Sequence, residues 1–196
     1  MKLTTIISLL SAGLSISCGE SSLDAGLTSA TVEKSDLEGT WVTKCYKKGD
    51  EMVRDTLAFT SANRTLRQAL YQDSACTDLV RTTIITSTYI LQGEGDIEES
   101  TKITYTVVSV KLLPASEVVA ADMNQNTWCE STDWTITEKD VSGGCSQLNI
   151  KHKNGVTTYD IINVANGSLF MGLETSDVTL EANRPTEFDP LQYNKQ

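Results

Sequence analysis

Two long β-branched runs constrain this chain more than anything else in it: LVRTTIITSTYIL at 79–91 and TKITYTVVSVKLL at 101–113, joined by the acidic loop GEGDIEES. Val, Ile and Thr lose side-chain freedom in a helix and pack well on a pleated surface, so both runs read as strands. Apolar groups fall on both of their faces. One face must therefore meet an interior, and the other a helix, the tail or a partner. Shorter runs of the same character flank them. GTWVTKCY at 39–46, DTLAFT at 55–60 and RTLRQALY at 64–71 come before, with Leu57 and Phe59 sharing one face. SQLNIKHK at 146–153, VTTYDIIN at 156–163 and SLFMGLE at 168–174 come after. Asn-Gly at 154–155 and again at 166–167 favours the positive φ angles of a type I′ hairpin, so each is expected to join two strands. Strands at this spacing, with short turns, predict an all-β antiparallel sandwich or up-and-down barrel of about eight strands. One short helix interrupts the series. Pro114 and Ser116 suit a helix start, Val119 and Met123 give an apolar face, and the helix is expected over 115–125, covering apolar wall, with a lid over one mouth of the barrel as the alternative. The tail at 175–196 carries two prolines and no period, and reads as irregular.

The five cysteines supply the next constraint. Lys2 precedes an apolar stretch, 3–16, that is too short to span a bilayer but has the shape of an export signal. LSISC at 14–18 resembles a bacterial lipobox, which implies that Cys18 is acylated, with palmitate or a similar fatty acid, and becomes the new N-terminus. Residues 1–17 are then a signal peptide, and 18–35 a lipidated N-terminus and flexible tether spanning roughly 20–25 Å. Residues 36–174 form the barrel and 175–196 the tail. Gly19 follows Cys18 where inner-membrane retention in enteric lipoproteins uses Asp, which points to the outer membrane. Cys45, Cys76, Cys129 and Cys145 remain, an even count that reads as a disulfide framework in an exported chain. Three pairings exist. Cys45–Cys76 with Cys129–Cys145 is preferred because each bridge closes a local loop, worth ~3.7 and ~3.1 kcal/mol in the chain-entropy treatment. A zinc site is disfavoured, because no C-x-x-C occurs and the single histidine, His152, lies outside ligand spacing.

LEGTWVTKC at 37–45 resembles the opening of lipocalin-like barrels, in which a Gly-x-Trp, here Gly39 and Trp41, plugs one end. Taken with Cys45, Phe59, Tyr71, Asp73 and Cys76, the pattern resembles the domain named after adenomatosis polyposis coli down-regulated 1, over about residues 36–92. The resemblance implies a lipocalin-like barrel, secreted or membrane-anchored, with lipid groups as ligands and a disulfide between Cys45 and Cys76. The Pro-rich segment that follows the first cysteine in the animal domain is replaced here by YKKGDEMV.

The motifs of serine hydrolases, zinc proteases and P-loop enzymes do not occur. The disulfides consume the thiols, and no pair among the 26 acids has a local signature. The expectation is a protein that is not an enzyme and needs no cofactor and no metal. The acidic loop at 93–99 lacks Ca²⁺-loop spacing and reads as a solvated tip. Asn63 and Asn166, although in glycosylation-type triplets, read as turn residues. His152 reads as a packed or rim residue. A net charge of −10 repels nucleic acid and anionic headgroups, leaving the N-terminal lipid as the link to the membrane. The resulting expectation is a monomeric envelope lipoprotein that binds a small hydrophobic ligand, with Tyr71, Tyr89 and Tyr105 as candidate lining groups. The alternative is a structural or adhesive surface barrel with a filled interior, contacting protein or glycan partners through its loops. The two readings part on whether the barrel holds a void of ~300 Å³ or more.

Overall fold

Residues 31–196 are described by the computed structural model; Cys18 and the signal-like segment lie outside the described residues. Ten strands occur among them: β1 Gly39–Thr43, β2 Tyr46–Lys48, β3 Glu51–Phe59, β4 Asn63–Tyr71, β5 Leu79–Glu94, β6 Thr101–Pro114, β7 Lys139–Asp140, β8 Thr157–Ala165, β9 Ser168–Met171 and β10 Tyr193–Lys195. Two α-helices accompany them, α1 Lys34–Leu37 and α2 Glu117–Gln125. Strand β1 pairs antiparallel with β3 on one side and β10 on the other. The path from β3 through β4, β5, β6, β8 and β9 to β10 closes an eight-stranded antiparallel barrel. Strand β2 extends β1's course along β3, and β7 pairs with β6 outside the ring.

Strict alternation decides which side chains enter. In β3, Val53, Asp55, Leu57 and Phe59 are buried, and the residues between them are not. Register then carries the choice to the neighbours. Phe59, Leu57 and Asp55 lie opposite Arg64, Leu66 and Gln68 of β4, which in turn lie opposite Ser87, Ile85 and Thr83 of β5.

One end is sealed by apolar side chains, among them Val32, Leu37, Trp41, Leu57, Phe59, Ile103, Ile162 and Leu169. Trp41 is 1% exposed, and Lys195 lies 5.0 Å over its ring. This is the plug anticipated for the Gly-x-Trp pair. Gly39 sits beside it at φ +121, where a Cβ would also meet the Lys195 side chain at 3.2 Å. The stretch read as tether gains structure before its end. Val32 is buried, its N–H donates to Thr101 Oγ1 at 2.8 Å, and α1 follows.

A second apolar cluster gathers Ile85, Val107, Val110 and Leu112 of the β5–β6 hairpin under Ala120 and Met123 of α2, with Trp134 and Val141. The Ser116 side chain caps α2 by accepting from Val119 N–H. Both preferred disulfides are present. Cys45–Cys76 ties the β1–β2 junction to the β4–β5 turn, and Cys129–Cys145 staples the segment after α2.

Two local expectations fail. The tail is not irregular throughout, since β10 lies in it and closes the barrel. Three residues are too few for a period of two to register in sequence. The run at 146–153 is not a strand. It holds a short 3-10 turn, Ile150–His152, and Leu148 packs on the α2 cluster instead of a sheet. Gly155, at φ +79, makes its turn directly on β6, with Gly155 N–H donating to Val107 O and Val107 N–H to Val156 O. The other Asn-Gly behaves as expected: Asn166 and Gly167 take φ of +52 and +75 and join β8 to β9.

Candidate functional site: a polar cavity inside the barrel

Between the two apolar clusters the barrel encloses a cavity of about 370 Å³. That is on the order of a dozen water volumes, and large enough for a small organic molecule. Leu66, Ile85, Val107, Met171 and Leu191 give it an apolar wall, and Leu66, Ile85 and Val107 also belong to the cluster under α2. Its rim includes the exposed Lys47, Lys48 and Glu174. Because β1 runs from the sealed end at Gly39 towards Tyr46–Lys48, the chain enters the barrel at the end opposite the rim.

The remaining lining is charged and hydroxylic. Asp55 is buried on β3. Its Oδ2 accepts from Tyr46 Oη at 2.7 Å and Tyr193 Oη at 3.3 Å, and its Oδ1 from Gln68 Nε2 at 3.2 Å. Burial first, and then the Asp55 charge, push both tyrosines well above the ordinary phenol range, so they remain donors. Asp160, on β8, is 6% exposed, and its Oδ1 accepts from Ile161 N–H at 2.8 Å and Gly172 N–H at 3.0 Å. Desolvation dominates there and pushes this carboxyl up to about 7, against the two backbone donors and the Arg64 charge. Gly172 is required at this contact, since a Cβ would lie 2.6 Å from Asp160 Oδ1 and from Pro185 Cγ.

Arg64 projects inward from β4, with its guanidinium 4.1 Å from the centre of the Tyr105 ring. Among the described residues Arg64 forms no ion pair, and its buried Nε has no hydrogen-bond partner. Tyr105, 2% exposed on β6, likewise has a buried hydroxyl without a partner. Burial raises that phenol far above its ordinary value, while Arg64 opposes the shift. His152 sits at the rim with Nδ1 buried and unpartnered, and burial followed by the charge of Lys151 lowers its imidazole to about 4. Among the described residues, the three unpartnered buried side-chain atoms therefore all belong to residues lining this cavity.

Of the three candidate tyrosines, Tyr105 lines the cavity. Tyr89 packs edge-on against Phe59 at the sealed end, with its hydroxyl donating to Thr60 O at 2.8 Å. Tyr71 pairs with Met52 in the register opposite to the inward one, and Arg54 lies 5.7 Å over its ring. Neither touches the cavity. Reading the sequence for apolar alternation passed over Arg64, Asp55 and Asp160. The signal was nonetheless present: Arg64 and Gln68 share parity with Leu66 and Leu70, and Asp160 with Ile162. His152, read as a packed or rim residue, lies at the rim.

Comparison with protein-family models and with curated proteins finds no match to this chain.

Proposed function

We propose that this protein is an envelope lipoprotein whose barrel binds one small amphipathic molecule. The observation that carries the reading is the cavity of about 370 Å³, whose lining residues include three that each carry a buried, unpartnered polar atom. A barrel of eight strands can be filled by its own side chains. Leaving a charged guanidinium and a phenol hydroxyl without partners in the interior costs free energy that a filled apolar core would avoid. A ligand that satisfies them offsets that cost. The apolar wall gives a hydrophobic body somewhere to lie, as the resemblance to lipocalin-like barrels suggested, but the lining calls for a polar group as well. The molecule acts by binding, as a monomer, with no cofactor. Acylation at Cys18 moors it to the membrane, most simply the outer one, and the exposed rim offers the ligand a solvent-facing entrance.

Native mass spectrometry of the full-length protein, gently extracted from the cells that make it, tests this reading. The expected spectrum carries the mass of the acylated chain and a second series displaced by one small organic molecule. A bare mass alone, with no uptake from an envelope extract, supports the filled-interior alternative instead.

A further inference from the structure

We infer that Arg64 and Tyr105 form a carboxylate subsite at the inner end of the cavity, so that the ligand is an amphipathic carboxylic acid held head-inward. This deepens the preceding reading and rests on it. Register fixes the depth. Arg64 lies opposite Phe59, and Tyr105 opposite Tyr89, and Phe59 and Tyr89 both belong to the sealed-end core. Moving towards the rim along the same strands brings Leu66 after Arg64, Ile85 after Ser87 and Val107 after Tyr105. A polar head at the bottom is thus continuous with an apolar wall above it.

The choice of head follows from the donors. Arg64 cannot lose its proton, so its charge persists at every physiological pH. Tyr105 stays protonated and therefore offers O–H. The Arg64 guanidinium, 4.1 Å from the centre of the Tyr105 ring, and the Tyr105 O–H supply donors to one acceptor group, and a carboxylate has two acceptor oxygens. The carboxylates already present do not fill that role. Asp55 is engaged by Tyr46, Tyr193 and Gln68, and Asp160 by two backbone N–H groups. Neither forms an ion pair with Arg64. An amine head would set two positive charges together, and an alcohol would leave the guanidinium uncompensated.

Three probes with one body and different heads separate these cases: 3-phenylpropanoate, 3-phenylpropanol and 3-phenylpropylamine. Equilibrium dialysis against the full-length protein in detergent, with protein-free detergent as blank, reads their retention. The carboxylate should bind about tenfold or more tighter than either of the others, the size expected of charge-assisted hydrogen bonds. Arg64→Gln should abolish that preference while leaving the alcohol unchanged. Tyr105→Phe keeps the ring's packing and serves as the second variant. It should weaken the carboxylate selectively and yet raise the melting temperature of the unliganded protein by about 2–4 °C, because a buried unsatisfied hydroxyl is removed. Equal retention of the three probes, or a preference that survives both substitutions, overturns the carboxylate subsite and leaves the cavity as a binding site. Retention of none of them overturns the binding reading itself.

Discussion

The indole Nε1–H of Trp41 donates to the carbonyl oxygen of Leu37 at 2.7 Å, and both residues are within 1% of complete burial. One bond thus joins the first barrel strand to the helix that precedes it and seals the end away from the rim. Trp41→Ala should cost ~3–5 kcal/mol in equilibrium urea unfolding, the range for deleting a large buried aromatic. Trp41→Phe retains most of the packing but leaves the Leu37 carbonyl without its donor, and should cost ~1–3 kcal/mol.

The two disulfides hold regions that the strand ladders reach poorly. Cys45–Cys76 spans 31 residues and Cys129–Cys145 spans 16. Replacing each pair by serine should lower stability by ~3.7 and ~3.1 kcal/mol respectively in denaturant titrations, on the chain-entropy account. Losing the second bridge loosens the wall beside the cavity, since Cys129 and Cys145 pack on the α2 cluster. Ligand retention should therefore fall more in that variant. Mass analysis of unreduced tryptic peptides checks the pairing directly.

Asp160 and His152 give stability opposite pH dependences. Asp160 keeps its proton to about 7 when folded and releases it near 3.8 when unfolded. The folded state therefore binds more protons across that window, and stability falls as pH rises through it, by roughly 4 kcal/mol in all. His152 is lowered from 6.5 to about 4 in the fold. The unfolded state binds the extra proton between those values, so this contribution is lost as pH falls through them. In the wild type the two slopes largely cancel between about pH 4 and 6.5. Asp160→Asn should expose the histidine's slope alone, with unfolding midpoints climbing steadily over that interval. The chain has one histidine, so a single imidazole resonance should titrate with a midpoint near 4.

Gly172→Ala tests how closely the barrel is built around Asp160. The new methyl would press on Asp160 Oδ1 and on Pro185, both in buried surroundings. A cost of ~1–3 kcal/mol is expected, as for other overpacked interiors, measured by denaturant unfolding.

The long strands were legible because β-branched runs such as 79–91 and 101–113 state their conformation locally. The Trp41 plug and the covalent framework were legible for a similar reason, a short motif and a pairing of near neighbours in sequence. What was hidden depends on partners distant in sequence. Strand β10 is three residues long and exists because β1 and β9 flank it. The segment around Leu148 has strand-like composition, but the α2 cluster takes its apolar side chain, and the turn at Gly155 then hands the chain to β6. Arg64 and Asp160 stood in plain alternation with apolar neighbours, but their inward direction follows only from the closed register. A charged residue at a strand's inward parity is ordinarily passed over as surface. Here it marks the cavity.

The most direct measurement is a high-resolution crystal structure of the full-length protein purified from the cells that make it, read in the space bounded by Arg64, Tyr105, Leu66, Ile85 and Val107. The account predicts continuous density for one organic molecule, with a carboxylate oxygen within hydrogen-bond distance of Arg64 Nε and of the Tyr105 hydroxyl. An interior holding only water, or closed by rearranged side chains, would contradict it.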